Sequence, residues 1–112
     1  MQLTTHLNDF TLRSATIDDV PSILGFIIEL AEYEKLAHEV VATEDTLRET
    51  LFGPTPYAQV IIAELAGVPV GYALFFHNFS TFTGRPGIYL EDLYVQPKHR
   101  GQGFGKLLLA QP

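Results

Sequence analysis

The 112-residue sequence has no cysteine, which excludes disulfides, thiolate metal ligands and cysteine nucleophiles together. It is also short of positive charge, with 7 Lys and Arg against 13 Asp and Glu and a formal charge of -6. That balance repels phosphate backbones and anionic lipid and favours cationic small molecules, so neither nucleic acid nor a membrane is an expected partner. The four histidines, at 6, 38, 77 and 99, lack the close spacing of a ligand pair, and no metal site is expected. No apolar run approaches the ~20 residues that span a bilayer. The opening MQLTTHLNDF lacks the basic-then-apolar order of a signal peptide, so a cytoplasmic protein is the expectation. What is present is apolar surface: 46% hydrophobic residues, 8 Phe and 5 Tyr, enough for one folded core rather than a disordered segment.

Phe10 to Ala15 alternates as a short strand, and Thr16 to Asp19 has the spacing of a capping box at a helix start. Pro21 suits a first turn. Val20, Ile23, Leu24, Ile27, Leu30 and Ala31 then recur at spacings of three and four, which predicts an amphipathic helix over about residues 18 to 35. Glu29, Glu32 and Lys35 fall mostly on the other side of the wheel. Thr43 to Leu51 predicts a shorter helix, ended by Gly53-Pro54-Thr55-Pro56. The β-branched and aromatic runs 58–65 and 68–77, joined by Ala66-Gly67, predict an antiparallel hairpin. Asn78 to Gly87 is expected as loop and Ile88 to Val95 as a further strand. Phe75, Phe76, Phe79 and Phe82 are expected to pack in core and loop, since no basic residue interleaves with them as a base-stacking platform requires.

After that strand comes Arg100-Gly101-Gln102-Gly103-Phe104-Gly105-Lys106, a glycine-rich turn leading into Leu107-Leu108-Leu109. Glycines between a strand and a helix let backbone N–H groups approach a phosphate, and the helix start adds positive potential there. A tight turn without a ligand would use the same glycines. Lys98, Arg100 and Lys106, however, gather positive charge here in an otherwise acidic chain. The spacing is not the dinucleotide G-x-G-x-x-G, and Leu107 stands where a P-loop needs a hydroxyl.

Arg100-x-x-Gly103-x-Gly105 after an apolar strand resembles the pyrophosphate motif of the GCN5-related N-acetyltransferase superfamily. Leu12 to Thr16, Glu29 to Glu34 and Tyr89 to Val95 resemble its spermidine/spermine (diamine) branch. The resemblance implies an α/β (α+β) acyl-CoA N-acyltransferase fold, a mixed, mostly antiparallel sheet flanked by helices, with acetyl-CoA as co-substrate and a small polyamine or similar amine as acceptor. It implies that Leu93, Tyr94 and Val95 meet the pantetheine arm. Arg100, Gly101, Gln102, Gly103, Phe104, Gly105 and Lys106 would surround the pyrophosphate. Glu91 would take the catalytic position beside the reacting amine, and Tyr33, Glu34 and Asp92 would line the amine groove. The chemistry suits these residue types, because an amine must be neutral to attack a thioester and a carboxylate can attract the cation and accept its proton. Adjacent strand residues face opposite sides, so Glu91 and Asp92 share a cleft only at a bulge.

The resemblance also implies that residues 1–112 are a single partial domain, without the family's later strands and the tyrosine that protonates the leaving thiolate. The competing expectation is therefore a non-catalytic fragment that binds coenzyme A or only self-associates. An apolar sheet edge formed by Ile88, Leu90, Leu93 and Val95, or the helix from residue 104, is expected to pair two copies into a homodimer or larger assembly.

Overall fold

The computed structural model describes residues 2–4 and 10–99. In chain order the elements are β1 (Gln2–Thr4), β2 (Phe10–Ser14), α1 (Val20–Tyr33), α2 (Glu44–Phe52), β3 (Gln59–Leu65), β4 (Val68–Ser80) and β5 (Arg85–Val95), with short 3-10 turns at 17–19, 37–39 and 97–99. The five strands form one sheet in the order β1-β2-β3-β4-β5, and every described pairing is antiparallel. The strand at Gln2–Thr4 was not foreseen from the sequence.

Alternation divides β2 to β5 between two cores. Val60, Ile62, Tyr72 and Tyr94 face the helices and pack with Val20, Ile23 and Phe26 of α1 and Leu47 and Leu51 of α2. Phe10, Leu12, Ile61, Ala63, Val70, Ala73, Phe75 and Val95 form a second buried cluster on the opposite face. Each fully buried Leu, Ile or Phe contributes roughly 1.5–3 kcal/mol.

α1 starts where β2 ends because of one ion-pair network. The Arg13 guanidinium grips both carboxylate oxygens of Asp19 at 2.7 Å and reaches Glu64 Oε2 on β3 at 3.1 Å. The Thr16 backbone N–H donates to Asp19 Oδ2 at 2.7 Å, as the capping-box spacing predicts. At its other end α1 closes through Lys35, whose φ of 61° is left-handed. Leu36 N–H bonds Ala31 O at 2.7 Å and Lys35 N–H bonds Glu32 O at 3.0 Å, the paired bonds of a Schellman stop. This stop turns the chain back and leaves Glu34 and Leu36 at the helix end.

Thr43 caps α2, accepting from Thr46 N–H at 3.2 Å. Ala66 (φ 52°) and Gly67 (φ 80°) form the two-residue turn that matches the twist of a hairpin. The expected loop at 78–87 is mostly strand: Asn78 pairs with Gly87, Phe79 with Pro86 and Ser80 with Arg85, so only residues 81–84 turn. Gly84, at φ 66° and with its N–H on Ser80 O at 2.8 Å, closes that turn. Phe75 is buried and Phe76 stacks on Tyr89 at 5.0 Å, but Phe79 and Phe82 are exposed rather than packed.

Candidate active site

The sheet positions the site through an irregularity in the β4–β5 ladder. Leu74 pairs with Asp92 while Phe75 pairs with Leu90, so β5 carries one extra residue, Glu91. Two residues opposing one interrupt the alternation that would send Glu91 and Asp92 to opposite faces. Asp92 lies across from Leu74, which packs against the helix-side core, and thus joins the face that carries Tyr72 and Tyr94.

Between this face and the end of α1 lies a groove of about 270 Å³. Ile27, Leu30 and Ala31 form its α1 wall, and Leu36 and Val40 close it beyond the helix stop. Its polar groups are three carboxylates, Glu34 at the helix end, Glu39 in the 3-10 turn and Asp92 on β5. Among the described residues the ion pairs belong to Arg13 and Arg48, and none involves these three. A groove with apolar walls and uncompensated acids suits a cation carried on a hydrocarbon chain.

Beneath the groove, Phe26 stacks on Tyr72 (centroids 5.8 Å apart, planes 7° apart) and contacts the Tyr94 ring at 5.9 Å. Each phenol donates to a carboxylate: Tyr72 to Asp92 Oδ2 and Tyr94 to Glu29 Oε1, both at 2.7 Å. Burial, and then the hydrogen bond and charge of Asp92, push the Tyr72 phenol well above its ordinary range, so it stays a donor. Gly71 lets β4 lie close to β5 here, since a Cβ would sit 2.5 Å from the Tyr94 carbonyl oxygen.

The structure brings Glu34 and Asp92 together at the groove, with Glu91 exposed on the adjoining bulge. Tyr33 is exposed at the helix end and does not line the groove. Val95 is buried and Leu93 packs partly into the same cluster, while Tyr94 packs on the helix side. Val95 corrects the expectation that the apolar side chains of β5 are uncovered: Ile88, Tyr89 and Leu90 are exposed, but Val95 is not. Arg100, Gly101, Gln102, Gly103, Phe104, Gly105 and Lys106 lie outside the described residues. Sequence reasoning missed Glu39, Tyr72 and Glu29. Only a helical wheel that placed Glu29 between polar and apolar faces would have hinted at the last.

A second cavity of about 280 Å³ lies between the end of α2 and the start of β3. Ser14 and Gln59 are its polar residues, and with no titratable side chain in its lining it offers no acid–base chemistry. Among the described residues no group of acids and histidines is arranged to hold a metal ion, and no helix is long and apolar enough to cross a membrane.

Residues 25–111 match the model of the Acetyltransferase (GNAT) family. The thialysine N-epsilon-acetyltransferase of Bos taurus is 43% identical over 106 residues, covering 88% of this chain and 62% of the relative. The spermidine/spermine N(1)-acetyltransferase-like protein 1 of Homo sapiens is 32% identical over 112 residues, covering 94% of this chain and 16% of that protein. An aminoglycoside acetyltransferase from an uncultured soil metagenomic sample, solved with sisomicin, superimposes with a TM-score of 0.74 at 20% identity, covering 90% of this chain and 65% of the other. That last likeness is one of fold. The chain spans 62% of the length of the Bos taurus relative.

Proposed function

The chain belongs to the GNAT acetyltransferase family, and on that premise we propose that it transfers the acetyl group of acetyl-CoA to a primary amine of a small diamine or polyamine. The observation that carries this reading is the groove that Glu34, Glu39 and Asp92 line without a basic partner among the described residues. The family supplies the donor, and the groove selects a cation.

Acetyl-CoA brings an activated thioester. The fit of this chain to that donor rests on the family match, and Leu93, Tyr94 and Val95, at the end of β5, are the segment assigned to the pantetheine arm. The glycine-rich segment from Arg100 to Lys106 supplies amides and positive charge for the pyrophosphate.

Glu34 and Asp92 hold the cationic acceptor, and Tyr33, exposed at the end of α1 and outside the groove lining, has no part in holding it. Glu91, on the bulge, accepts the proton that the ammonium must lose before its nitrogen can attack, directly or through a water. No side-chain nucleophile is needed for direct transfer, in keeping with a chain that has no cysteine. Ile88, Tyr89 and Leu90, exposed along β5, support association of two copies into a dimer.

A thiol-release assay with acetyl-CoA and spermidine, spermine, thialysine and simple diamines tests the reading. Turnover is expected with amines carrying a second cationic group and not with monoamines that lack one. A folded protein that binds coenzyme A and turns over none of them would support the non-catalytic alternative instead.

A further inference from the structure

We infer that Tyr72 is a positioning residue for amine recognition, acting through Asp92. The inference rests on the amine-binding reading of the groove and adds to it a residue that never touches the ligand. Asp92 is half-buried at the groove wall and receives the Tyr72 hydroxyl on Oδ2, while no described residue donates to its other oxygen. A carboxylate on an open strand rotates freely about its side-chain torsions. One held by a charge-assisted bond to an immobile donor does not.

Tyr72 is immobile for identifiable reasons. It is fully buried, and its ring lies flat against Phe26. Phe26 belongs to α1, the helix that forms the opposite wall of the groove, and it also meets Tyr94, whose hydroxyl ties β5 to Glu29 of α1. One aromatic stack thus fixes the spacing of the two walls and aims Asp92 into the space between them. The free oxygen of Asp92 is left for a cationic nitrogen, already oriented before the ligand arrives.

The alternative is a phenol that merely satisfies its own hydrogen bond in the core, and a double-mutant cycle separates the two. Spermidine is titrated calorimetrically into the wild type, Tyr72→Phe, Asp92→Asn and the double variant, with thermal unfolding followed in parallel. Tyr72→Phe keeps the ring stack and is expected to bind spermidine about ten-fold more weakly. In the Asp92→Asn background the same change is expected to have no further effect on affinity. Equal losses in both backgrounds, or no loss in the wild-type background, overturn the inference while leaving the amine reading in place. No spermidine binding by folded wild type removes both. If Tyr72→Phe does not fold, Asp92→Glu keeps the charge but displaces the carboxylate by a methylene, and the same ten-fold loss is expected. Unchanged affinity in that variant counts against the inference.

Discussion

The Tyr72 hydroxyl lies 2.7 Å from Asp92 Oδ2, joining a fully buried ring on β4 to a half-buried carboxylate on β5 at the step where the ladder slips by one residue. Because burial and the Asp92 charge raise the phenol's pKa, the folded state favours its neutral form. The resulting stability is present in full below the unfolded tyrosine value of ~10 and is lost as pH rises beyond it. An alkaline spectroscopic titration is expected to show Tyr72 ionising only as the protein unfolds, so that Tyr72→Phe reduces the late step by one tyrosine. A variant that keeps the late step undiminished would assign it to other tyrosines.

Glu91 is the proton acceptor proposed for the amine. Glu91→Gln is expected to shift the pH–rate profile for an amine acceptor to higher pH, because the ammonium must then lose its proton unaided. The slope and midpoint of kcat/KM against pH provide the readout. An unchanged profile removes Glu91 from the mechanism and leaves its exposed place on the bulge without a catalytic role.

Arg13 and Asp19 test the join between sheet and helix. The hydrogen bond from Arg13 leads the effects that hold the Asp19 carboxyl below its ordinary range, overcoming the opposing effect of burial. A lowered folded value stabilises above the unfolded value of ~3.9, and that contribution is lost as pH falls below it. Asp19→Asn is expected to destabilise the fold by about 2 kcal/mol at neutral pH in urea unfolding. The difference from wild type is expected to shrink toward pH 3. A constant difference across that range would mean that packing, not charge, sets the effect.

Ile88, Tyr89 and Leu90 are 50%, 50% and 39% exposed along β5. Light scattering at micromolar concentration is expected to give a dimer or larger, and Leu90→Lys is expected to shift it toward monomer. A wild-type monomer under those conditions contradicts the proposed association.

Much of the fold was legible because its signals are local. The three- and four-residue recurrence from Val20 to Ala31 fixed α1, Thr43 marked the start of α2, and Ala66-Gly67 marked the β3–β4 turn. Asn78 to Gly87 misled because its polar, glycine and proline content favours loop, whereas its strand state depends on pairing between β4 and β5. The site was legible in part. Glu34 and Asp92 were candidates from family resemblance, and Asp92 shares the face of Tyr94 by simple alternation, but the bulge that sets Glu91 out of the ladder shows only in the pairing of Leu74 and Phe75 with β5. Glu29 and Tyr94 are 65 positions apart, and no periodicity in either segment foretells their hydrogen bond.

The central claim is that the groove between α1 and β5 receives a small cationic amine. The direct measurement is a backbone amide NMR titration of the folded chain with spermidine at constant ionic strength, repeated with Asp92→Asn. The account predicts saturable shifts concentrated at Ala31, Glu34, Leu36, Glu39 and Asp92, and their marked weakening in the variant. Shifts spread evenly over the acidic surface, or identical titrations for the two proteins, would contradict it.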